Sequence, residues 1–181
     1  MKFTVVLTAD FPSIATELLA PHVDVIAHPT EHGRSEADMI TILAEADAAI
    51  TLLQDPITRN VLEANPNLRC VSNFAVGYNN IDVEAARELG VVVTNTPGVL
   101  TEATADLTLA LILAVTRRIV EGDDEMRTQG RCEWEPLKLL GASLQGKRLG
   151  IIGMGRIGTA VATRARAFGM EVMGVRASSP H

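Results

Sequence analysis

The chain has 181 residues, room for one domain or two small ones. A hydrophobic fraction of 47% supports a packed core and excludes a disordered chain. Aromatics at 3% leave little to stack on unpaired bases, and a net charge of −6 argues against nucleic acid and anionic membranes as partners.

Residues 2–8 are apolar and β-branched and predict a first strand. They lack the basic, apolar and small-residue regions of a secretory signal. Residues 13–19 predict a short helix that Pro21 helps to end, and 23–27 a second strand, with His28-Pro29 opening a loop. Ser35 is a good N-cap for a helix whose apolar stripe is Met39, Leu43 and Ala46. Residues 48–53 predict a third strand, 57–64 a helix with Pro66 beyond it, and 68–73 a fourth strand. A helix over 83–89, closed by Gly90, and a strand over 91–94 complete the series. Near-continuous apolar strands alternating with helices predict an α/β fold with a parallel, doubly wound sheet.

Asn95-Thr96-Pro97-Gly98 reads as a boundary, because proline and glycine mark a turn. A long helix is predicted from about residue 101 to about 119, with Thr101 as N-cap and Glu102 and Asp106 near its start. Leu107, Leu109, Leu111, Ile112, Leu113 and Val115 cover most of its circumference, which predicts burial on several sides, between two domains or also against a second subunit. This apolar stretch is too short to span a bilayer. Residues 121–141 read as polar and irregular; Trp134 is either a local anchor there or a contact with a partner subunit. Cys70 and Cys132 form no C-x-x-C pair and read as reduced thiols of a cytoplasmic protein. No metal site is picked out.

The most informative stretch comes late. Leu149, Ile151 and Ile152 form an apolar strand, and Gly153, Gly155 and Gly158 follow with the spacing G-x-G-x-x-G. The first glycine permits a tight turn, the second lets a pyrophosphate approach the backbone, and the third lets a helix pack close to the strand. Ile157, Val161, Ala165 and Phe168 then recur at helical spacing, Gly169 suits the helix end, and 172–175 is a second apolar strand. The unit spans about 30 residues, the length expected of a βαβ dinucleotide-binding motif. Amides at the helix start would face the phosphates. An acidic residue after the second strand usually accepts bonds from the ribose of NAD. Here that place holds Arg176, followed by Ala177, Ser178 and Ser179, so NADPH is expected over NADH.

The segments Val71-Ser72-Asn73-Phe74-Ala75-Val76-Gly77-Tyr78-Asn79-Asn80-Ile81-Asp82, Val93-Thr94-Asn95-Thr96-Pro97-Gly98-Val99-Leu100-Thr101, Ala103-Thr104-Ala105-Asp106 and 144–158 carry a resemblance. The sequence resembles the D-isomer-specific 2-hydroxyacid dehydrogenase family, nearest its glyoxylate and hydroxypyruvate reductases. The stretch 73–101 argues against another enzyme with a similar loop, such as a relative of adenosylhomocysteine hydrolase. The resemblance implies a flavodoxin-like, five-stranded substrate-binding domain over 1–97 that lacks a C-terminal return. It implies over 98–181 a bridging helix and the first half of a Rossmann NAD(P)-binding domain.

Residue by residue, the backbone at Val76 and Gly77 would hold a substrate carboxylate and Leu53 would line the same cleft. Thr104, Arg156 and Ile157 would contact the cofactor beside Gly153, Gly155 and Gly158. Arg176 and Ser178 would select its type. A homodimer through 101–134 is expected. The family's catalytic arginine, carboxylate and histidine would lie beyond residue 181, so no catalytic residue is assigned and the chain reads as a truncated reductase of a small 2-oxo acid. His22, His28 and His32 match no motif, and His181 is the last residue. The competing reading is a non-catalytic nucleotide-binding or dimerisation module.

Overall fold

A computed structural model describes residues 2–30, 33–131 and 133–175. The chain divides into two compact units, Met1–Pro97 and Gly98–His181.

The first unit is a parallel sheet built in the order β2-β1-β3-β4-β5. Its strands are β1 (Thr4–Leu7), β2 (Asp24–Ala27), β3 (Ala48–Thr51), β4 (Cys70–Asn73) and β5 (Val92–Thr94). Val5 pairs with Ala48 and Ala48 with Cys70, so the three central strands run in register. The order reverses between β1 and β3, the flavodoxin-like arrangement in which ligands sit outside the carboxyl ends of the strands. Helices α1 (Ser13–Leu19), α2 (Glu36–Leu43), α3 (Arg59–Ala64) and α4 (Val83–Leu89) connect them.

Local chemistry sets these boundaries. Ser35 caps α2 in a reciprocal box with Asp38, Thr58 caps α3, and Asp82 caps α4. Gly90 ends α4 with φ of 75°, a conformation that a side chain would resist. Met39, Leu43, Ile57, Leu62 and Val71 are each at most 1% exposed and share one core with Ala49 and Ala85. Each such aliphatic side chain contributes about 1.5–3 kcal/mol on burial. Ala46 joins that core from beyond the end of α2.

The second unit holds α5 (Thr101–Thr116), α6 (Ile119–Gln129), β6 (Arg148–Ile152), α7 (Arg156–Ala167) and β7 (Glu171–Val175). Strands β6 and β7 are parallel, with Leu149 opposite Val172 and Ile151 opposite Gly174. Ala105, Leu109 and Val161 form one small core between α5 and α7, and Leu144, Ala165 and Met170 another. Arg164 of α7 reaches back to Glu102 and Asp106 of α5.

Three expectations are corrected here. The predicted helix to residue 119 stops at Thr116, because Arg118 turns left-handed with φ of 54°, and residues predicted irregular form α6 instead. That helix buries nothing; it rests on the Arg127–Asp123 and Arg118–Glu121 pairs and a left-handed Gly130 cap. Thr101 is not the N-cap of α5. Leu100 holds that place, without a capping side chain. Finally, α5 is not buried on several sides within the chain: Ala105 and Leu109 are buried, but Leu107, Leu111 and Val115 are 58–78% exposed.

Candidate functional site

In the second unit, β6 runs into the three-glycine turn. Gly153 has φ of 103°, open to glycine and strained for other residues. Its amide and that of Met154 donate to the Val175 carbonyl, which ties the turn to β7. Gly155 is the N-cap of α7, and a Cβ there would meet nothing within 4 Å, so open space lies in front of the backbone. A Cβ on Gly158 would overlap the Gly153 carbonyl oxygen, so helix and turn pack backbone to backbone. The first amide bond of α7 runs from Thr159 to the Gly155 carbonyl. The amides of residues 155–158 therefore have no partner within the helix and sit at its positive end. This is a cradle that fits a diphosphate.

The remaining residues predicted around this turn take several places. Ile157 is half-buried and packs with Leu149 and Ile151 against the α5–α7 core, while the Arg156 side chain is exposed. Thr104 lies in the first turn of α5, next to the buried Ala105. Its hydroxyl makes no hydrogen bond among the described residues, unlike Thr108 and Thr116, which bond back to their own helix. Met154 lies across β7: a Cβ on Gly174 would overlap its side chain. Arg176 and Ser178 lie outside the described residues.

In the first unit, the loops after β3 and β4 meet at the carboxyl ends of the strands. The Leu53 side chain is half exposed, and its Cδ1 lies 3.6 Å from where a Gly77 Cβ would be. Sequence reasoning named Leu53, Val76 and Gly77, and these loops are brought together. The Val76 carbonyl accepts from Asn95 Nδ2 at 2.8 Å, and the Gly77 carbonyl from Asn73 Nδ2 at 2.8 Å. Among the described residues the amides of Val76 and Gly77 have no acceptor, and both residues are half-buried. Two such donors beside a glycine suit a small anion. Phe74, at the start of the same loop, makes an edge-to-face pair with Phe11 at 5.5 Å.

Sequence reasoning missed the polar layer beneath these loops. Asp55, 1% exposed, accepts from the Thr8 hydroxyl at 2.5 Å and the Leu52 amide at 2.8 Å. Thr51 donates to Asn73 Oδ1 at 3.0 Å. Asn80 donates to the Leu52 and Asp55 carbonyls at 3.1 and 2.8 Å. Arg34 donates to the Thr8 carbonyl at 2.9 Å and also to the His28 carbonyl. The available signal was a polar residue closing each apolar strand: Thr8, Thr51 and Asn73.

A hollow of about 600 Å³ between Lys2, Phe3, Asp47 and Arg69 opens at the opposite, amino ends of the strands. Ligands of such sheets bind at the carboxyl ends, so it is set aside. His22 is exposed, His28 is half-buried beyond β2, and His32 and His181 lie outside the described residues. Cys70 is a free thiol that burial pushes above its ordinary pKa; Cys132 lies outside the described residues. Among the described residues no His, Cys, Asp and Glu cluster able to hold a metal ion occurs, and no helix is long and apolar enough to cross a membrane. Trp134 is 86% exposed and anchors nothing locally.

A flavodoxin-like sheet followed by a glycine-built βαβ turn is the layout of an oxidoreductase that uses a pyridine dinucleotide. The chain belongs to the D-isomer specific 2-hydroxyacid dehydrogenase family, whose catalytic domain matches residues 5–176. The glyoxylate reductase of Korarchaeum cryptofilum is 44% identical over 174 residues, covering 96% of this chain and 52% of the relative. A Thermus thermophilus protein of known crystal structure superposes with a TM-score of 0.89 at 43% identity, over 99% of this chain and 58% of that one. An acyclic imino acid reductase solved with NADPH and D-Arg superposes at 0.80 with 28% identity, over 100% of this chain and 58% of that chain. The chain spans about half the length of the curated relatives it matches. Enzymes of this family use NAD(H) or NADP(H).

Proposed function

We propose that this chain carries the carboxylate-binding loops and the diphosphate cradle of an NADPH-dependent reductase of a small 2-oxo acid, of the glyoxylate or hydroxypyruvate type, giving the D-2-hydroxy acid. The observation that carries the reading is the turn at Gly153, Gly155 and Gly158, with its left-handed first glycine, open second glycine and tightly packed third. The cofactor, when bound, supplies a hydride. The amides of Arg156, Ile157 and Gly158 hold its diphosphate, and Thr104, with a hydroxyl that is free among the described residues, contacts it from α5. The amides of Val76 and Gly77 hold the substrate carboxylate, and Leu53 shields one side of it from water. Arg176 and Ser178 pair with the 2′-phosphate; a guanidinium binds two phosphate oxygens at once, and no carboxylate stands there to repel it. The family resemblance assigns no polarising or protonating residue within these 181, and on this reading no turnover is expected of the chain by itself.

The exposed Leu107, Leu111, Val115 and Trp134 support a homodimer through 101–134, and the free Cys70 thiol is in keeping with a cytoplasmic setting. The same exposed face favours a second reading, a non-catalytic nucleotide-binding or dimerisation module. Calorimetric titration with NADPH and NADH tests the proposal. Tighter binding of NADPH, reversed by Arg176→Asp, is expected; binding of neither would overturn it. NADPH oxidation driven by glyoxylate in the pure 181-residue chain would overturn its inactivity. Nucleotide binding without turnover in a protein of the relatives' full length would favour the second reading.

A further inference from the structure

Resting on the assignment of Val76 and Gly77 to the substrate carboxylate, we propose that Asn73 and Asn80 are positioning residues that fix the anion-binding loop against the Leu53 loop. Asn73 is fully buried at the end of β4, where an unpaired amide would be costly. Each of its polar atoms is used. Its Nδ2 donates to the Gly77 carbonyl at 2.8 Å and to Asn80 Oδ1 at 3.2 Å, and its Oδ1 accepts from Thr51 at 3.0 Å. Asn80 passes the connection on, since its own Nδ2 bonds the Leu52 and Asp55 carbonyls. Three backbone carbonyls, of Leu52, Asp55 and Gly77, face these two side chains, so the nitrogen must point toward them in each.

The consequence is geometric. A peptide plane held by its oxygen has its nitrogen held as well. With the Gly77 carbonyl drawn inward to Asn73, the Gly77–Tyr78 peptide cannot rotate; the Asn95 bond holds the Val76–Gly77 peptide, which carries the Gly77 amide, and the Thr96 amide on the Ala75 carbonyl holds the peptide that carries the Val76 amide. Asn73 thus clamps the loop just after its two free amides, and Asn80, through the Leu52 carbonyl, holds the Leu53 loop beside it. Such preorganisation removes the ordering cost of binding a small anion. A network whose members are all satisfied is also stiff.

The test uses the 181-residue chain and oxamate, a small carboxylate beside a carbonyl, followed by amide NMR below all unfolding temperatures. Four proteins are compared: wild type, Asn73→Ala, Asn80→Ala and Asn65→Ala. Asn65 is the control. It is 3% exposed and bonds the Leu43 and Ala46 carbonyls at 2.7 Å, away from the loop, so its loss lowers stability without touching these amides. Oxamate is expected to move the Val76 and Gly77 amide resonances in wild type and in Asn65→Ala with the same Kd. Asn73→Ala and Asn80→Ala should bind at least about fivefold more weakly, with smaller shifts at those two amides. Unchanged affinity in Asn73→Ala and Asn80→Ala would overturn the positioning role while leaving the carboxylate assignment intact. No shift at Val76 and Gly77 in wild type would overturn both. If Asn73→Ala fails to give a folded spectrum, Asn80→Ala and the near-isosteric Thr51→Val decide the matter by the same comparison.

Discussion

The two units use the same alternation of strand and helix and end with different surfaces. The first lays five strands side by side, and its central strands bury Val6, Ala49 and Val71 to 2% exposure or less. The second has two strands, with nothing described beside β6 except β7. Ile152 is 97% exposed, Val175 65% and Met173 58%. A parallel strand is buried when helices cover both its faces and strands flank it, as for β1, β3 and β4; among the described residues β6 and β7 have only each other, α5 and α7. The lesson is that apolar strand sequence does not ensure burial: the number of paired strands decides it.

The comparison predicts where the chain gives way. The largest effect is expected from Leu62→Ala in the five-stranded unit, where a 1% exposed side chain leaves a cavity costing about 2–5 kcal/mol. Region-resolved hydrogen exchange should show faster opening throughout residues 2–97 and unchanged rates in α7. Equal acceleration in both units would mean that they do not unfold separately. Next comes Gly158→Ala, which forces a methyl onto the Gly153 carbonyl and costs about 1–3 kcal/mol. It should loosen α7 and abolish NADPH binding in calorimetry. Gly155→Ala, with open space around it, should leave thermal stability unchanged while weakening NADPH binding about tenfold.

A smaller effect is set by pH. Glu36 accepts from Asn60 and Thr58, which hold its carboxyl below the ordinary 4.5, and Ser35 does the same for Asp38 below 3.8. A carboxyl lowered by folding contributes fully above its ordinary value and loses that contribution as pH falls through the folded value. Acidification below about 4.5 should therefore weaken α2, and Glu36→Gln should flatten that limb of an NMR-monitored acid titration. The smallest effect belongs to Arg164, whose pairs with Glu102 and Asp106 lie at the surface. Arg164→Met should lower the melting temperature of the second unit slightly in dilute buffer, and about 1 M salt should erase the difference.

Legibility in the sequence followed how each element is held. The five strands and α2 to α4 were readable because apolar patterning, capping residues and Gly90 agree, whereas α1, uncapped and without a buried residue, was readable from Pro21 beyond its end. The glycine turn was readable because backbone crowding leaves glycine as the residue that fits at 158. Helix α6 was not, since it has no apolar stripe and contains Gly122; ion pairs and a glycine cap sustain it. The apolar circumference of α5 exceeds what this chain covers, because hydrophobicity shows what a helix can bury and not what is present to cover it. The layer of Asn73, Asn80, Asp55, Thr8 and Thr51 escaped because each member is common in loops alone. Only their convergence in space reveals a joint role.

Met154 and Gly174 sit twenty positions apart, yet one supplies the volume that the other leaves vacant. A side chain added at 174 would have to displace that of Met154. A graft of this phosphate turn onto another scaffold should therefore carry both.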